Sequence, residues 1–401
     1  MMSKNERLLI AINALYFLAG TMANVFVSVY LFTFTGSLYS LIAYTMVRFF
    51  WILMGFFVSG FLSKWQSLAQ NLTIGLALYI ASLALLLTIN PWFSSLPLLI
   101  FVIGTLFGFG EGFYWFSVNI LNQSVSTKGS RPRFIAFAGI YNAGATIVAP
   151  IVATIIVTVA DTDTLGYLRI FQVVIAILMV VVYLSTRVKI DIIKRSFTVI
   201  DKLNLSHDSQ WRYQMIAYTM FGVRESQVLV LTGLLIFIAT GGSGSVYGNL
   251  LTLFAILSMA ANYLVARKVN RQNRMQWYRL GSLLLFSSTM VLVFVPNLYG
   301  AIYFGVVNAI ATPFLNNPFM IIAMNALQDY SDNESLSGRI IAREVYLISG
   351  RLVGMGSILV FAWALPEPLS LYVAVTFCSV FGLMLAGYAS AYHKKKDALA
   401  V

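Results

Sequence analysis

Twelve apolar runs, each long enough for a helix to cross a bilayer, dominate this sequence. Six lie near residues 8–34, 37–61, 71–89, 97–121, 135–160 and 168–187; after a polar interval, six more lie near 212–240, 246–267, 278–295, 298–325, 340–365 and 369–392. The runs are continuous, without sustained two-residue alternation. Their backbone polar groups are therefore satisfied inside helices rather than between the strands of a barrel. The expected fold is an all-α integral membrane protein with twelve transmembrane helices. Composition agrees, since 59% of the 401 residues are hydrophobic and only 10% are charged, against about 25% charged in an ordinary soluble domain.

The formal net charge of +12 bears on topology, not on nucleic acid, because the bases are scattered among short loops and form no continuous face. Lys and Arg gather on the cytoplasmic side of membrane proteins. Lys4 and Arg7 precede the first span, Lys64 follows the second, and Lys128, Arg131 and Arg133 lie between the fourth and fifth. The central interval, the loop after the eighth span and the tail add Lys194, Arg195, Arg267, Lys268, Lys394 and others on that same side. The opposite turns, such as "TGS" at 35 and "GGSGS" at 241, hold no Lys or Arg. Both termini are expected in the cytoplasm of a multi-pass cell-membrane protein. The opening segment has the charged start of a signal peptide but no convincing small-residue cleavage site, so it reads as a retained span.

Chemistry of other kinds finds little footing. One cysteine, Cys378, gives no disulfide framework, and His207 and His393 lie outside the apolar runs, so no metal site and no cofactor is expected. "GGSGSVYG" lacks the Lys-Ser/Thr of an ATP-binding phosphate loop, and there is no Gly-x-Ser-x-Gly elbow; an enzyme is not expected, and no catalytic residue is assigned.

The second half echoes the first. "NILNQSVSTKGSRPRFIAFAGIYNAG" at 119 and "NALQDYSDNESLSGRIIAREVYLISG" at 325 align Asn119 with Asn325, Arg133 with Arg339 and Gly144 with Gly350, at a constant offset of 206. The expected organisation is therefore a six-helix bundle over 1–187, a cytoplasmic linker over 188–211, and a second six-helix bundle over 212–401. In the linker, Ile193, Phe197 and Ile200 recur at helical spacing opposite Arg195 and Lys202, which predicts an amphipathic helix on the membrane surface.

With two such halves the chain resembles the major facilitator superfamily of secondary transporters along its whole length. That superfamily carries a Gly-x-x-x-Asp-Arg-x-Gly-Arg-Arg pattern after the second helix of each half. Here "NRQNR" places Asn270, Arg271 and Arg274 at positions similar to the Asp and two Arg, whereas "GFLSKWQS" in the first half keeps only Gly60 and has Lys64 where the acid would stand. The Gly-Pro signature of antiporters is spread out as Gly139, Gly144 and Pro150. The resemblance implies a cavity lined by spans one, four, seven and ten, open alternately to either side. It also implies a small-molecule substrate with protons as coupling ion, and function as a monomer in the lipid bilayer.

Buried charge then marks the candidate site, because ions deep in a membrane are expensive and face a cavity or a partner. Glu111 lies near mid-depth of span four within "LFGFGEGFYWFSVNIL". Limited water around a carboxylate favours its protonated form, so two readings stand: a proton-coupling or cation-binding acid, and a structural acid held by an arginine. "GVRESQ" places Arg224 and Glu225 deep in span seven, with Glu225 read as a second coupling or substrate carboxylate and Arg224 as its electrostatic complement. Arg48 in span two has no acid in its own helix, leaving Glu111 and Glu225 as possible partners. Tyr114, Trp115, Asn316 and Asn317 are candidate cavity-lining groups, each with packing as the alternative. Glu344 and Arg351, with the loop residues Asn270, Arg271 and Arg274, are candidate gate or interhelix contacts. Aromatics beside carboxylates suit export of an amphipathic cation. The arginines and paired amides suit import of a sugar, anion or other metabolite, and a solute sensor on the same scaffold is a further alternative. The topology gives a direct expectation: in a background lacking Cys378, Ser94→Cys and Gly242→Cys react with an impermeant thiol reagent outside intact cells, whereas Thr127→Cys and Asn273→Cys do not; the reverse pattern overturns the orientation.

Overall fold

The structure, a computed structural model, describes residues 3–89, 98–125, 131–188, 199–206, 208–227, 233–270, 272–328, 333–366 and 369–399. Among these residues every regular element is a helix. The first six spans are α1 (Lys4–Thr35), α2 (Leu38–Leu62), α3 (Leu68–Ile89), α4 (Leu99–Val125), α5 (Arg131–Thr158) and α6 (Asp163–Thr186). A short α7 (Ile200–Leu203) precedes α8 (Ser209–Gln227) and α9 (Gly233–Ala239); α10 (Gly244–Lys268), α11 (Arg274–Phe294), α12 (Leu298–Gln328), α13 (Asn333–Ala364) and α14 (Leu369–Leu399) complete the chain. Eleven described helices are long and apolar enough to cross a bilayer, which makes this a multi-pass membrane protein. The expected seventh span, 212–240, is described as α8 and α9 flanking residues 228–232, which lie outside the described set.

Local signals set the helix ends. Ser3 caps α1 in a reciprocal box: its hydroxyl accepts from Glu6 N–H at 3.1 Å, and the Glu6 carboxylate accepts from Ser3 N–H at 2.6 Å. At the other end Gly36, at φ 58°, supplies the left-handed residue that lets its N–H bond Phe32 O, and Ser37 then caps α2 by accepting from Ser40 N–H. The turn between the first two spans is thus encoded in three residues.

Contacts divide the chain into two compact units. One comprises Met1–Asp201 with Ser243–Asn249 and Asp332–Glu344; the other comprises Lys202–Gly242, Leu250–Ser331 and Val345–Val401. In the first unit α4 packs on α2 and α3, and α6 packs on α1 and α3; in the second, α12 packs on α11, and α14 packs on α8 and α11. The α3–α4, α1–α6 and α3–α6 pairings of the first unit recur in the second as α11–α12, α8–α14 and α11–α14. Of the interval between the halves, Ile193, Arg195 and Phe197 lie outside the described residues. Its end is tied down, because Trp211 Nε1 donates to Lys202 O at 2.8 Å and the Tyr346 hydroxyl donates to Leu203 O at 2.9 Å.

What positions the buried charges is the close approach of α4 to its neighbours. A Cβ added at Gly112 would stand 2.7 Å from Gly55 Cα of α2, and one at Gly110, on the other side of α4, would stand 2.7 Å from Gly75 O of α3. Gly104 and Gly108 also meet α2, at Tyr44 and at the Arg48 backbone. Small residues let helix backbones touch in a membrane, where packing replaces the hydrophobic drive. Gly112→Ala should therefore lower thermal stability in detergent by about 1–3 kcal/mol. Gly139→Ala in α5, where an added Cβ meets nothing within 4 Å, should leave it within about 0.5 kcal/mol; equal effects at both sites would refute the packing role.

Candidate functional site

The glycine seam brings α2 and α4 close enough for their buried charges to meet. Arg48 donates from Nε to Glu111 Oε2 at 2.8 Å and from a terminal nitrogen to Oε1 at 2.7 Å, a side-on bidentate pair with side chains 12% and 6% exposed. The same terminal nitrogen donates to the side-chain oxygen of Asn24 on α1. The guanidinium also lies over the Phe107 ring, 4.1 Å from its centroid. Of the two partners the sequence leaves open for Arg48, the structure selects Glu111. Fork-to-fork geometry of this kind is the strong form of a charge-assisted hydrogen bond.

Around the pair stands a group of tyrosines. Tyr16, Tyr44 and Tyr79 are buried; the Tyr44 hydroxyl lies beside the Arg48 guanidinium, and those of Tyr16 and Tyr79 have no hydrogen-bond partner among the described residues. Tyr79 packs on Phe107 at 4.3 Å and on Tyr16 at 6.0 Å, and Tyr16 stacks on Tyr114. Tyr114 is fully buried and donates to Asn13 Oδ1 at 3.3 Å, while Asn13 donates to Asn122 Oδ1 at 3.2 Å. Tyr114 thus belongs to a polar thread through the interior of the first unit. Trp115, partly buried, meets Tyr16 and Phe17 edge-on. Sequence reasoning missed Asn13, Tyr16 and Asn24, although with Gly20 they recur at steps of three, four and four along one face of α1.

In the second unit the pairing differs from expectation. Glu225 forms its hydrogen-bonded ion pair with Arg351 of α13, which donates to Glu225 Oε2 from Nε at 2.9 Å and from a terminal nitrogen at 2.7 Å, while Arg224 is an electrostatic neighbour of Glu225 without a bond to it. Neighbouring positions on a helix point about 100° apart, so Glu225 meets α13 while Arg224 turns toward α14. Asn317 donates to Asn262 Oδ1 of α10 at 2.9 Å, and Asn316 Oδ1 is buried without a hydrogen-bond partner among the described residues. Glu344 is buried and lies 3.7 Å from Arg343, not from Arg351. Asn270 accepts from the N–H groups of Gln272 and Asn273, and Asn273 Oδ1 accepts from Asn270 N–H, closing the loop before Arg274 opens α11. Arg271 lies outside the described residues. Among the described residues no group of three or more His, Cys, Asp and Glu could hold a metal ion.

The fold of this all-helical chain has solved counterparts. A variant of the nucleoside transporter NupG superposes with a TM-score of 0.68, at 12% identity over 97% of this chain and 98% of that one. FucP, described as a Major Facilitator Superfamily transporter in the outward conformation, gives 0.64 at 14% identity over 96% of this chain and 98% of its own. This chain has the major facilitator fold. In sequence, the uncharacterized protein YqgE of Bacillus subtilis (strain 168) is 27% identical over 378 residues, 92% of this chain and 86% of its own length. An uncharacterized protein in the sodM 3' region of Geobacillus stearothermophilus is 28% identical over 151 residues, 38% of this chain and 69% of its own. No protein-family profile matches the sequence.

Within the major facilitator fold, the Arg48–Glu111 geometry carries a stability consequence. Removing one partner strands the other charge, which costs about 3–5 kcal/mol, whereas replacing both by neutral groups is far milder. Glu111→Gln should reduce folded yield and thermal stability, and Arg48→Met combined with Glu111→Gln should recover most of the loss. A double variant no better than the single one would show that the pair is not the structural unit described.

Proposed function

We propose that the chain is a secondary transporter that moves a small organic solute by alternating access, coupled to protons through Glu111. The observation that carries this reading is the buried bidentate pair in a major facilitator fold. A carboxylate is worth holding with two hydrogen bonds only while it is charged; protonation removes the charge that Arg48 compensates, and Arg48 then retains its bond to Asn24. The pair is thus an element with two arrangements that a proton biases, which is what coupling requires. Glu225 with Arg351 offers a second such pair. On this reading the bundles are 1–187 and 212–401 joined by the 188–211 linker, both termini are cytoplasmic in the cell membrane, and the chain works as a monomer without catalysing a reaction.

Export is the expected direction, because Trp115 keeps a partly exposed aromatic face one turn from Glu111, an arrangement that suits an amphipathic organic cation. Symport is the second reading, favoured by the likeness to FucP, which is described as a fucose:proton symporter; the same acid would serve either direction. The test is a screen of organic cations, sugars and nucleosides in proteoliposomes under a proton gradient of each sign, normalised to folded protein. Glu111→Gln should lose gradient-driven accumulation while solute exchange persists. Full gradient-driven transport by both Glu111→Gln and Glu225→Gln would sink the coupling proposal, and binding without transport of any solute would point to a sensor.

A further inference from the structure

One deeply buried cation of the second unit has no bonded acid among the described residues. Glu225 is engaged by Arg351, yet Arg224, on the adjacent position of α8 and only 4% exposed, makes no hydrogen bond and no ion pair among the described residues. Its side chain runs to α14, where a Cβ at Gly382 would lie 3.3 Å from Arg224 Cγ, so glycine at that position leaves the stem its space. At the same level Ser282 of α11 donates to Gly382 O at 2.6 Å, holding α11 against α14. Glu225 and, on α11, Tyr278 are electrostatic neighbours of Arg224; Tyr278 is 1% exposed, and its hydroxyl has no hydrogen-bond partner among the described residues.

An arginine does not escape the cost of burial by losing its proton. A lone guanidinium deep in a bilayer is unfavourable by several kcal/mol, and Glu225, already held by Arg351, leaves the three-charge group at net +1. Among the described residues no acceptor is hydrogen-bonded to the N–H donors of Arg224, and the Tyr278 hydroxyl is unused as well. A buried guanidinium with all its donors open suits an anion. Because both side chains are enclosed by α8, α11 and α14, the anion must be small enough to be enclosed with them. We propose that Arg224 and Tyr278 hold a small inorganic anion, of halide size, inside the second bundle. This site lies in a different unit from the Arg48–Glu111 pair and does not depend on the transport reading.

The test uses the purified full-length protein in detergent at constant ionic strength, with sodium gluconate, whose anion is too large to be enclosed, replaced stepwise by chloride or bromide. The expected result is a saturable rise in Tm of about 2–4 °C with either halide. Arg224→Met should abolish that dependence. Tyr278→Phe, which keeps the cation and removes one donor, should shift its midpoint about tenfold toward higher halide, and this variant decides the matter if Arg224→Met does not fold. Equal Tm in gluconate and halide, or an unchanged halide response in the substituted proteins, would overturn the proposal. Stabilisation by acetate but not by halide would also overturn it, by assigning the pair to the carboxylate of an organic solute.

Discussion

Water is absent from the interior of a bilayer, so an ion placed there must find its compensation within the protein. Much of this molecule's architecture follows from that one requirement. Arg48 and Glu111 are 63 positions apart in sequence and on different helices, yet they form two hydrogen bonds of 2.7 and 2.8 Å. Such geometry needs the two helix axes closer than ordinary side chains allow. Glycines at 104, 108 and 112 on α4, with Gly55 on α2, supply that proximity, so the placement of residues without side chains determines where a charge pair can exist.

The same requirement explains why the two halves, alike in packing, differ in their chemistry. Pairings such as α3 with α4 and α11 with α12 recur, but the first unit joins its deep ions across α2 and α4, and the second joins Glu225 to Arg351 across α8 and α13. A repeat conserves which helices touch; it does not dictate which contact carries charge. Here Gly222 and Gly350 play the part of the first unit's seam, since a Cβ at Gly222 would lie 2.9 Å from Arg351 N. In both units the ion pair sits beside a glycine contact, because only there do the backbones come near enough.

These facts also mark what could be read without a structure. Apolar run length and the absence of alternation were enough for an all-helical membrane fold, because both follow from backbone satisfaction in lipid. The shielding of Glu111 and Arg48 from solvent was equally legible. Their partners were not: partner choice depends on helix rotation and on which helices cross, and an arginine can reach several neighbours from one position. Asn316 and Asn317 read alike in sequence, yet Asn317 turns to Asn262 on α10 while Asn316 Oδ1 finds no partner among the described residues. Tyr16, Tyr44 and Tyr79 escaped notice because a tyrosine in an apolar run looks like packing, and only three-dimensional proximity shows their hydroxyls gathered around one pair.

The construction of the first site constrains how it can move. Since α2 and α4 meet backbone to backbone, drawing them apart to break the Arg48–Glu111 pair would forfeit the packing of the whole seam. Release is therefore a side-chain event. One nitrogen of Arg48 already serves both Glu111 and Asn24, and Asn24 is exposed on α1 while Glu111 is buried. A guanidinium leaving the carboxylate thus keeps a partner and moves toward the exposed face of α1 rather than into an unsolvated interior. Asn24 thus ties the charge pair to α1, a helix packed mainly on α5 and α6 and only lightly on α2 and α4.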